Sequence, residues 1–360
     1  MKLLHVITSL RTGGAEKLMV DLLPRLRDMG NEVELLVFDG TRTAFFDQLE
    51  TAGIKVNFLQ VGGSVYNPLN ILRLRKFLKC FDVVHTHNTA CQLFATLANI
   101  GVGTKLVTTE HNTSNRRRGN AIFHLLDRWM YRRYKKIVCI SQKAEDILRE
   151  WLGGEWGSIL TINNGIDVKK IENAEPAELD FVKDRESIHV SVMVAAFRWE
   201  KDQQTVIRAY KELPENFHLA LVGGGNESLK QKCIQLAAEC GVAERIHFLG
   251  LRSDVPSILK AADAVIQSSH IDGFCLAAVE GMAAGKPVIA SDVVGLADVV
   301  RGYGELFPHE DSKALAGVIK KLADNPEYAA NVAATCQKRT AQFDISVMAE
   351  KYNQVYLGIK

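Results

Sequence analysis

Residues 270–292 read HIDGFCLAAVEGMAAGKPVIASD, from His270 to Asp292. Two carboxylates, Asp272 and Glu280, stand eight residues apart across a glycine turn and a helix start. Gly273, Phe274, Cys275 and Leu276 offer successive backbone N–H groups at that helix start, where partial positive charge suits an anion such as a diphosphate. Lys286-Pro287 and the apolar Val288, Ile289 and Ala290 return the chain to a buried strand. The loop therefore sits at the carboxyl end of a parallel-sheet strand, where such folds bind ligands. One carboxylate can hold sugar hydroxyls and the other a ribose, so the stretch reads as a nucleotide-sugar site.

Outward from this stretch, short apolar runs bounded by turn residues alternate with helical patterns. Leu3 to Ile7, Val33 to Phe38, Val83 to Thr86, Leu106 to Thr109 and Ile137 to Ile140 form one series. A second begins at Ile188 to Ala195 and continues through Leu219 to Val222, Ile246 to Leu249, Ala264 to Ile266 and Val288 to Ala290. This is the pattern of α/β folds whose parallel strands are covered by helices on both faces. It predicts two Rossmann-like doubly wound domains, residues 1–167 and 187–344. Residues 168–186 lose the apolar periodicity, carry many charges and include Pro176, and read as a linker. Residues 345–360 read as a C-terminal helix that folds back across the first domain, with Val347, Met348, Tyr352, Val355 and Tyr356 apolar.

The bulk numbers agree with two domains: 360 residues, 47% apolar and 24% charged, is too long for one ordinary core and too apolar for disorder. Seven cysteines without a CxxC pair point to free thiols in a reducing cytoplasm, not to a disulfide framework or a zinc site. The amino-terminal apolar run is too short for a signal peptide, and no apolar stretch is long enough to span a bilayer. Membrane contact is therefore expected to be peripheral, on the inner face. A net charge of +2 gives no global attraction to polyanions and hides a local excess, nine Lys or Arg against Glu110 and Asp127 between Lys105 and Lys136. Arg116, Arg117, Arg118, Arg128, Arg132 and Arg133 belong to it, on or beside a helix with Ile122, Leu126, Trp129 and Met130 on one face. It reads either as a packed helix with a solvated outer face or as a surface for anionic lipid headgroups. Nucleic acid fits poorly, because no binding motif accompanies the cluster.

Other strand ends carry candidate groups. Gly13 and Gly14 open a helix in GGAE, where a close approach of ligand to backbone and a plain tight turn are equal readings. Arg198 and Lys201 follow the first strand of the second domain, where two cations can neutralise a leaving diphosphate in place of a metal or can simply be solvated. Gly223 and Gly225 in one loop, and Leu251 after Gly250 in the next, permit close backbone approach. His85 and His87 point the same way at a strand end, but no acidic or cysteine partner stands at ligand spacing, so a wall of the binding cleft is preferred to a metal site. His111 in TTEHN ends the next strand and reads as structural or as a contact to a transferred sugar.

Together these motifs resemble the retaining glycosyltransferases of family 4, whose two Rossmann-like domains face a central cleft in the GT-B arrangement. The resemblance runs almost end to end: GGAE at Gly13, TEHN around His111, INNGID from Ile162, FRWEKD from Phe197, FLGLRSDVP from Phe248 and DGFCLAAVEGMAAGKPVIA from Asp272. It implies a nucleotide-sugar donor on the second domain, an acceptor on the first, and neither cofactor nor metal. By position it implies that Lys201 contacts the donor diphosphate, Glu280 the ribose, and Asp272 with the Gly273–Leu276 backbone the sugar and phosphate, while His111 and Gly14 complete the site. Two departures stand out. The acidic pair of the family usually opens with Glu where this chain has the shorter Asp272, and the family arginine five residues before the lysine is Ala196 here, leaving Arg198 as its replacement. The expected activity is metal-independent, retaining transfer of a hexose or N-acetylhexosamine from a UDP- or GDP-sugar to a saccharide or polyprenol-linked saccharide, in cell-surface polysaccharide synthesis. A nucleotide-sugar epimerase on the same fold and a non-enzymatic sugar-nucleotide sensor docked at a membrane are the alternatives.

Overall fold

The computed structural model describes residues 1–11, 13–111, 119–182, 184 and 187–359. The chain divides into two compact units, one made of Met1–Gly165 with Ile345–Lys360 and the other of Ile166–Asp344.

The first unit is a seven-stranded, wholly parallel sheet. Its strands are β1 (Lys2–Ile7), β2 (Glu32–Asp39), β3 (Lys55–Gln60), β4 (Val83–His87), β5 (Lys105–Glu110), β6 (Lys136–Cys139) and β7 (Ile159–Thr161), in the order β3-β2-β1-β4-β5-β6-β7. The second is a six-stranded parallel sheet of β8 (His189–Val194), β9 (Phe217–Val222), β10 (Ile246–Gly250), β11 (Ala264–Gln267), β12 (Val288–Ser291) and β13 (Glu305–Phe307), in the order β10-β9-β8-β11-β12-β13. Each is the doubly wound order, and each reverses direction once, between β1 and β4 and between β8 and β11. At such a switch point two neighbouring connections leave in opposite directions, which opens a crevice beyond the strands' carboxyl ends.

The central strands are apolar on both faces because helices cover both: every residue of β4, β11 and β12 is buried. The structure adds three strands to those read from sequence, β3, β7 and β13. All lie at sheet edges; β7 and β13 have three residues each, and only one residue of β3 is buried.

The first unit ends at Gly165, two residues before the end read from sequence. The segment read as a linker begins with the helix Val168–Glu172, whose Val168 and Ile171 are buried in the core of the second unit. Farther along, the Ala177 N–H donates to the Ser257 carbonyl at 2.9 Å, which ties this part of the segment to the second unit. The C-terminal helix Ile345–Leu357 packs into the first unit, burying Ile345, Met348, Ala349, Tyr352 and Tyr356. No helix among the described residues is long and apolar enough to cross a membrane, and none of the seven cysteines is in a disulfide.

Candidate functional site

In the second unit the carboxyl ends of β8 and β11 bring together groups far apart in sequence. Asp202 caps the helix Gln203–Ala209 by accepting the Thr205 N–H at 3.1 Å, and its other oxygen accepts the Ser268 hydroxyl at 3.2 Å. The Asp202 N–H donates to the Ser268 carbonyl, locking the β8 loop against the β11 loop. On this platform the Lys201 ammonium donates to Asp272 Oδ2 and lies 3.4 Å from the Ser269 hydroxyl. Ser269 is itself held by Ser291 Oγ, which accepts its N–H at 3.0 Å and donates to its carbonyl at 3.1 Å. Burial alone would lower the Lys201 pKa; the Cys275 and Asp272 side chains more than offset this and raise it above the ordinary lysine value, so the group is a permanent cation. Burial, and then Asp272, push the Cys275 thiol up to about 12, which removes it as a nucleophile at neutral pH.

Asp272 and the helix Leu276–Ala283 stand at the end of β11. The helix closes with a Schellman motif: Gly285 N–H donates to the Met282 carbonyl at 3.0 Å and Lys286 N–H to the Gly281 carbonyl at 3.3 Å, after which Pro287 leads into β12. At its start the structure amends the sequence reading. The Phe274 N–H, assigned there to a phosphate, donates instead to Asp272 Oδ1 at 3.3 Å, because an aspartate two residues back can fold onto its own loop. The Leu276 and Ala277 N–H groups carry no hydrogen bond among the described residues and are the donors the helix end offers to an anion. Glu280 lies one turn into that helix and is half-buried.

Other nominated residues fall differently. Arg198 is exposed; its carbonyl accepts the Lys201 N–H at 3.0 Å, and its guanidinium makes no hydrogen bond or ion pair with the Lys201–Asp272 pair among the described residues. Gly223 and Gly225 do permit a close approach, but to the protein's own chain. Both have positive φ, and a Cβ on either would fall on the backbone of Ala195 or Phe197. Leu251 is exposed and lies over Gly224. The sequence reading missed Ser269, Asp202 and Gly295. Gly295 has φ +89, and a Cβ there would strike the Asp272 carbonyl, so only glycine lets this turn support the Asp272 loop.

The first unit carries a buried chain of imidazoles at its own switch point. His111 Nε2 and His87 Nδ1 are 3.0 Å apart, as are His87 Nε2 and His5 Nδ1. The Tyr356 hydroxyl lies 3.3 Å from His5 Nε2 and 2.6 Å from His85 Nδ1, and His85 Nε2 lies 2.8 Å from Thr109 Oγ1. Burial holds His111 at about 4 and His5 at about 3, and puts His85 and His87 well below the ordinary histidine value, so all four are neutral at pH 7. A neutral imidazole has one donor and one acceptor, so the chain has two complete proton arrangements. If Tyr356 donates to His85, each imidazole from His5 outward donates toward Tyr356, and His111 Nδ1 is left as an acceptor. If Tyr356 donates to His5, every bond reverses and His111 Nδ1 carries the proton. The histidines read as a cleft wall thus form a relay that sets which face His111 presents.

Beside this relay, a cavity of about 560 Å³ opens beyond β1, β2 and β4, lined by Ser9, Arg11, Asp39, Tyr66, Asn88 and Thr89 among others. Burial works to raise the Asp39 carboxyl, but hydrogen bonds from Thr41 and Gly62 and the Arg11 guanidinium hold it below its ordinary value. Asn88 has φ 74, unusual outside glycine, and its buried Oδ1 has no hydrogen-bond partner among the described residues. Neither property shows in sequence, which is why the cavity was not read there. Gly14 opens the helix Gly14–Asp28 and Gly13 precedes it in extended conformation, with the flexible Glu16 carboxylate over it.

The basic segment is only partly a surface. Arg116, Arg117 and Arg118 lie outside the described residues. Arg128 donates to the Leu152 carbonyl at 2.7 Å, Arg133 stacks on Trp129 at 3.9 Å, and Arg132 stands over Trp156 at 6.0 Å. The helix Ala121–Tyr131 packs through Asp127, Met130 and Tyr131, while Ile122, read as part of its apolar face, is 76% exposed, because the inward face lies one turn later.

Residues 12–170 match the family described as Glycosyltransferase Family 4, and residues 178–339 match Glycosyl transferases group 1. The chain is a family 4 glycosyltransferase of GT-B fold. The glycosyltransferase is similar to the putative glycosyltransferase EpsD of Bacillus subtilis, 25% identical over 92% of this chain and 90% of the relative. It is also similar to the N,N'-diacetylbacillosaminyl-diphospho-undecaprenol alpha-1,3-N-acetylgalactosaminyltransferase of Campylobacter jejuni, 24% identical over 93% of each chain. Among solved structures, Anabaena HepE in complex with UDP and glucose matches with a TM-score of 0.87 at 21% identity, over 99% of both chains, a likeness of fold.

Proposed function

We propose that this glycosyltransferase moves a hexose or N-acetylhexosamine from a UDP- or GDP-sugar to a saccharide or lipid-linked saccharide acceptor, with retention at the anomeric carbon and without a metal at the diphosphate. The observation that carries the reading is the convergence of Lys201, Asp272 and the free first-turn N–H groups of Leu276 and Ala277 at the second switch point. A cation and helix-end donors stabilise charge as a phosphate leaves, and they do so without the reorganisation water would need. Glu280, one turn along the same helix, is the residue we assign to the ribose, and the Asp272 carboxylate to the sugar hydroxyls. With the Cys275 thiol neutral, no thiolate nucleophile is available for a covalent intermediate. Attack by the acceptor from the side the leaving group departs is the course we assign. The polar cavity of the first unit, with Asp39, Arg11 and Asn88, suits a hydroxyl-rich acceptor. A lipid-linked acceptor is supported by the Campylobacter relative, whose name places its own substrate on an undecaprenol diphosphate. Peripheral contact with an anionic membrane is then consistent with exposed Ile122 and Leu125 on the helix that Arg132 and Arg133 follow.

A thermal-shift panel of UDP- and GDP-sugars in chelator tests the donor half, because a ligand that binds only the folded state raises its stability by RT ln(1 + [L]/Kd). A shift with one nucleotide class, lost in Lys201→Ala and Glu280→Ala, is expected. No shift with any donor in folded protein overturns the assignment. Product formed from donor with no acceptor present indicates the epimerase instead.

A further inference from the structure

Beside the Lys201–Asp272 pair, the loops that follow β11 and β13 bring three metal-ligating atoms to one point. His270 Nδ1 lies 2.9 Å from His309 Nε2 and 3.2 Å from Glu310 Oε1, and His309 Nε2 lies 3.9 Å from the same carboxylate oxygen. The point equidistant from the three corners of that triangle is about 2.0 Å from each, the bond length zinc makes to imidazole nitrogen and carboxylate oxygen. Hydrogen bonding does not account for the convergence as well. A proton shared from His270 Nδ1 serves the two short contacts and leaves His309 Nε2 and Glu310 Oε1 unbridged at 3.9 Å, whereas one cation ligates all three atoms.

Two further features favour an ion. The far nitrogen of His270, Nε2, lies 4.0 Å from Asp202 Oδ1, and Asp202 is 4% exposed and fixed by Thr205 and Ser268. At that distance the carboxylate acts on the ring through its negative charge and not through a hydrogen bond, and the charge favours a cation on the opposite nitrogen. The Trp199 ring stacks on His270 at 5.3 Å and restricts its swing. Glu310 in turn sits at φ 63, a conformation that favours glycine, and there its carboxylate meets both histidines. The buried triad His5, His85 and His87 lacks these features: it has no carboxylate, and its imidazoles are already hydrogen-bonded to one another, Tyr356 and Thr109.

We propose that His270, His309 and Glu310 form a binding site for a divalent transition cation of the zinc class, which two imidazoles and one carboxylate suit. The ion ties the loop that leads into Asp272, two residues beyond His270, to the end of β13. It is separate from the diphosphate locus, and the proposal stands whether or not the transfer reading does.

The test is metal uptake by the full chain, stripped with chelator and then titrated with Zn2+, and with Co2+ for its visible absorption. The variants are His309→Ala, at a half-exposed loop position, and Glu310→Gly, which takes φ 63 without strain and so keeps the fold. Wild type should take up one equivalent of Zn2+, melt at a higher temperature with it, and give tetrahedral or five-coordinate Co2+ bands. Both variants should bind at least about 100-fold more weakly, and metal-free Glu310→Gly should melt no lower than metal-free wild type. The proposal is overturned if wild type binds no Zn2+, or if both variants bind it as tightly as wild type, which would move any uptake to another cluster.

Discussion

Lys201 and Asp272 form an ion pair across 71 positions of chain, joining the loop after β8 to the loop after β11 at the switch point of the second sheet. The pair holds the ammonium at the strand ends, where, under the proposed function, an incoming diphosphate takes over part of the role of Asp272. Replacing Lys201 with Ala should lower kcat by roughly 100-fold or more at saturating donor, by analogy with loss of one preorganised oxyanion donor. Steady-state rates on protein shown to be folded by circular dichroism decide it; turnover at the wild-type level removes Lys201 from the mechanism.

Gly295 supports the same loop from outside. Gly295→Ala places a Cβ on the Asp272 carbonyl at φ +89, so stability should fall by ~1–3 kcal/mol and the donor-induced thermal shift should shrink. Gly317→Ala is the control, since nothing lies within 4 Å of the Cβ it would add. Equal melting temperatures for the two variants would show that the turn relaxes freely.

Tyr356→Phe removes the hydroxyl at the centre of the imidazole relay and leaves His85 Nδ1 and His5 Nε2 without it in a buried setting. A loss of about 1–3 kcal/mol is expected from urea unfolding, the range for a buried polar group deprived of its partner. If His111 acts through the relay, kcat of this variant should also change its pH dependence, which a purely structural loss would not cause.

The relay also predicts acid sensitivity. His5 and His111 titrate at about 3 and about 4 in the folded chain and near 6.5 when unfolded. The unfolded state therefore binds more protons between these limits. Their neutral forms contribute fully above pH 6.5, and stability is lost as pH falls toward 4. Between pH 7 and pH 5 each should remove about 2 kcal/mol. Urea midpoints at the two pH values measure this, and His111→Gln should flatten the difference. A wild-type midpoint that holds steady from pH 7 to pH 5 would mean that these imidazoles are not held neutral.

Much of the second site was legible in sequence because its parts are local. Asp272, its glycine turn, the helix start and Glu280 lie within nine consecutive residues, and strand–loop–helix periodicity puts such a loop at a strand's carboxyl end. The central strands were legible for the same kind of reason: burial on both faces makes a continuous apolar run. The edge strands β3, β7 and β13 were not, since half-exposed or three-residue strands carry no such run.

The sequence by itself determined the two doubly wound sheets and the family, because periodicity and turn residues are properties of neighbours along the chain. Tertiary structure alone decided that Lys201 meets Asp272, that Phe274 N–H turns inward to Asp272 while Leu276 and Ala277 stay free, and that Arg198 stays outside. It alone placed His5, His85 and Tyr356 in one relay, and His270 beside His309 and Glu310. Apart from the local Phe274–Asp272 bond, these are contacts between residues tens to hundreds of positions apart, set by strand order and by packing across a switch point, and no local pattern encodes a distance of 3 Å between them.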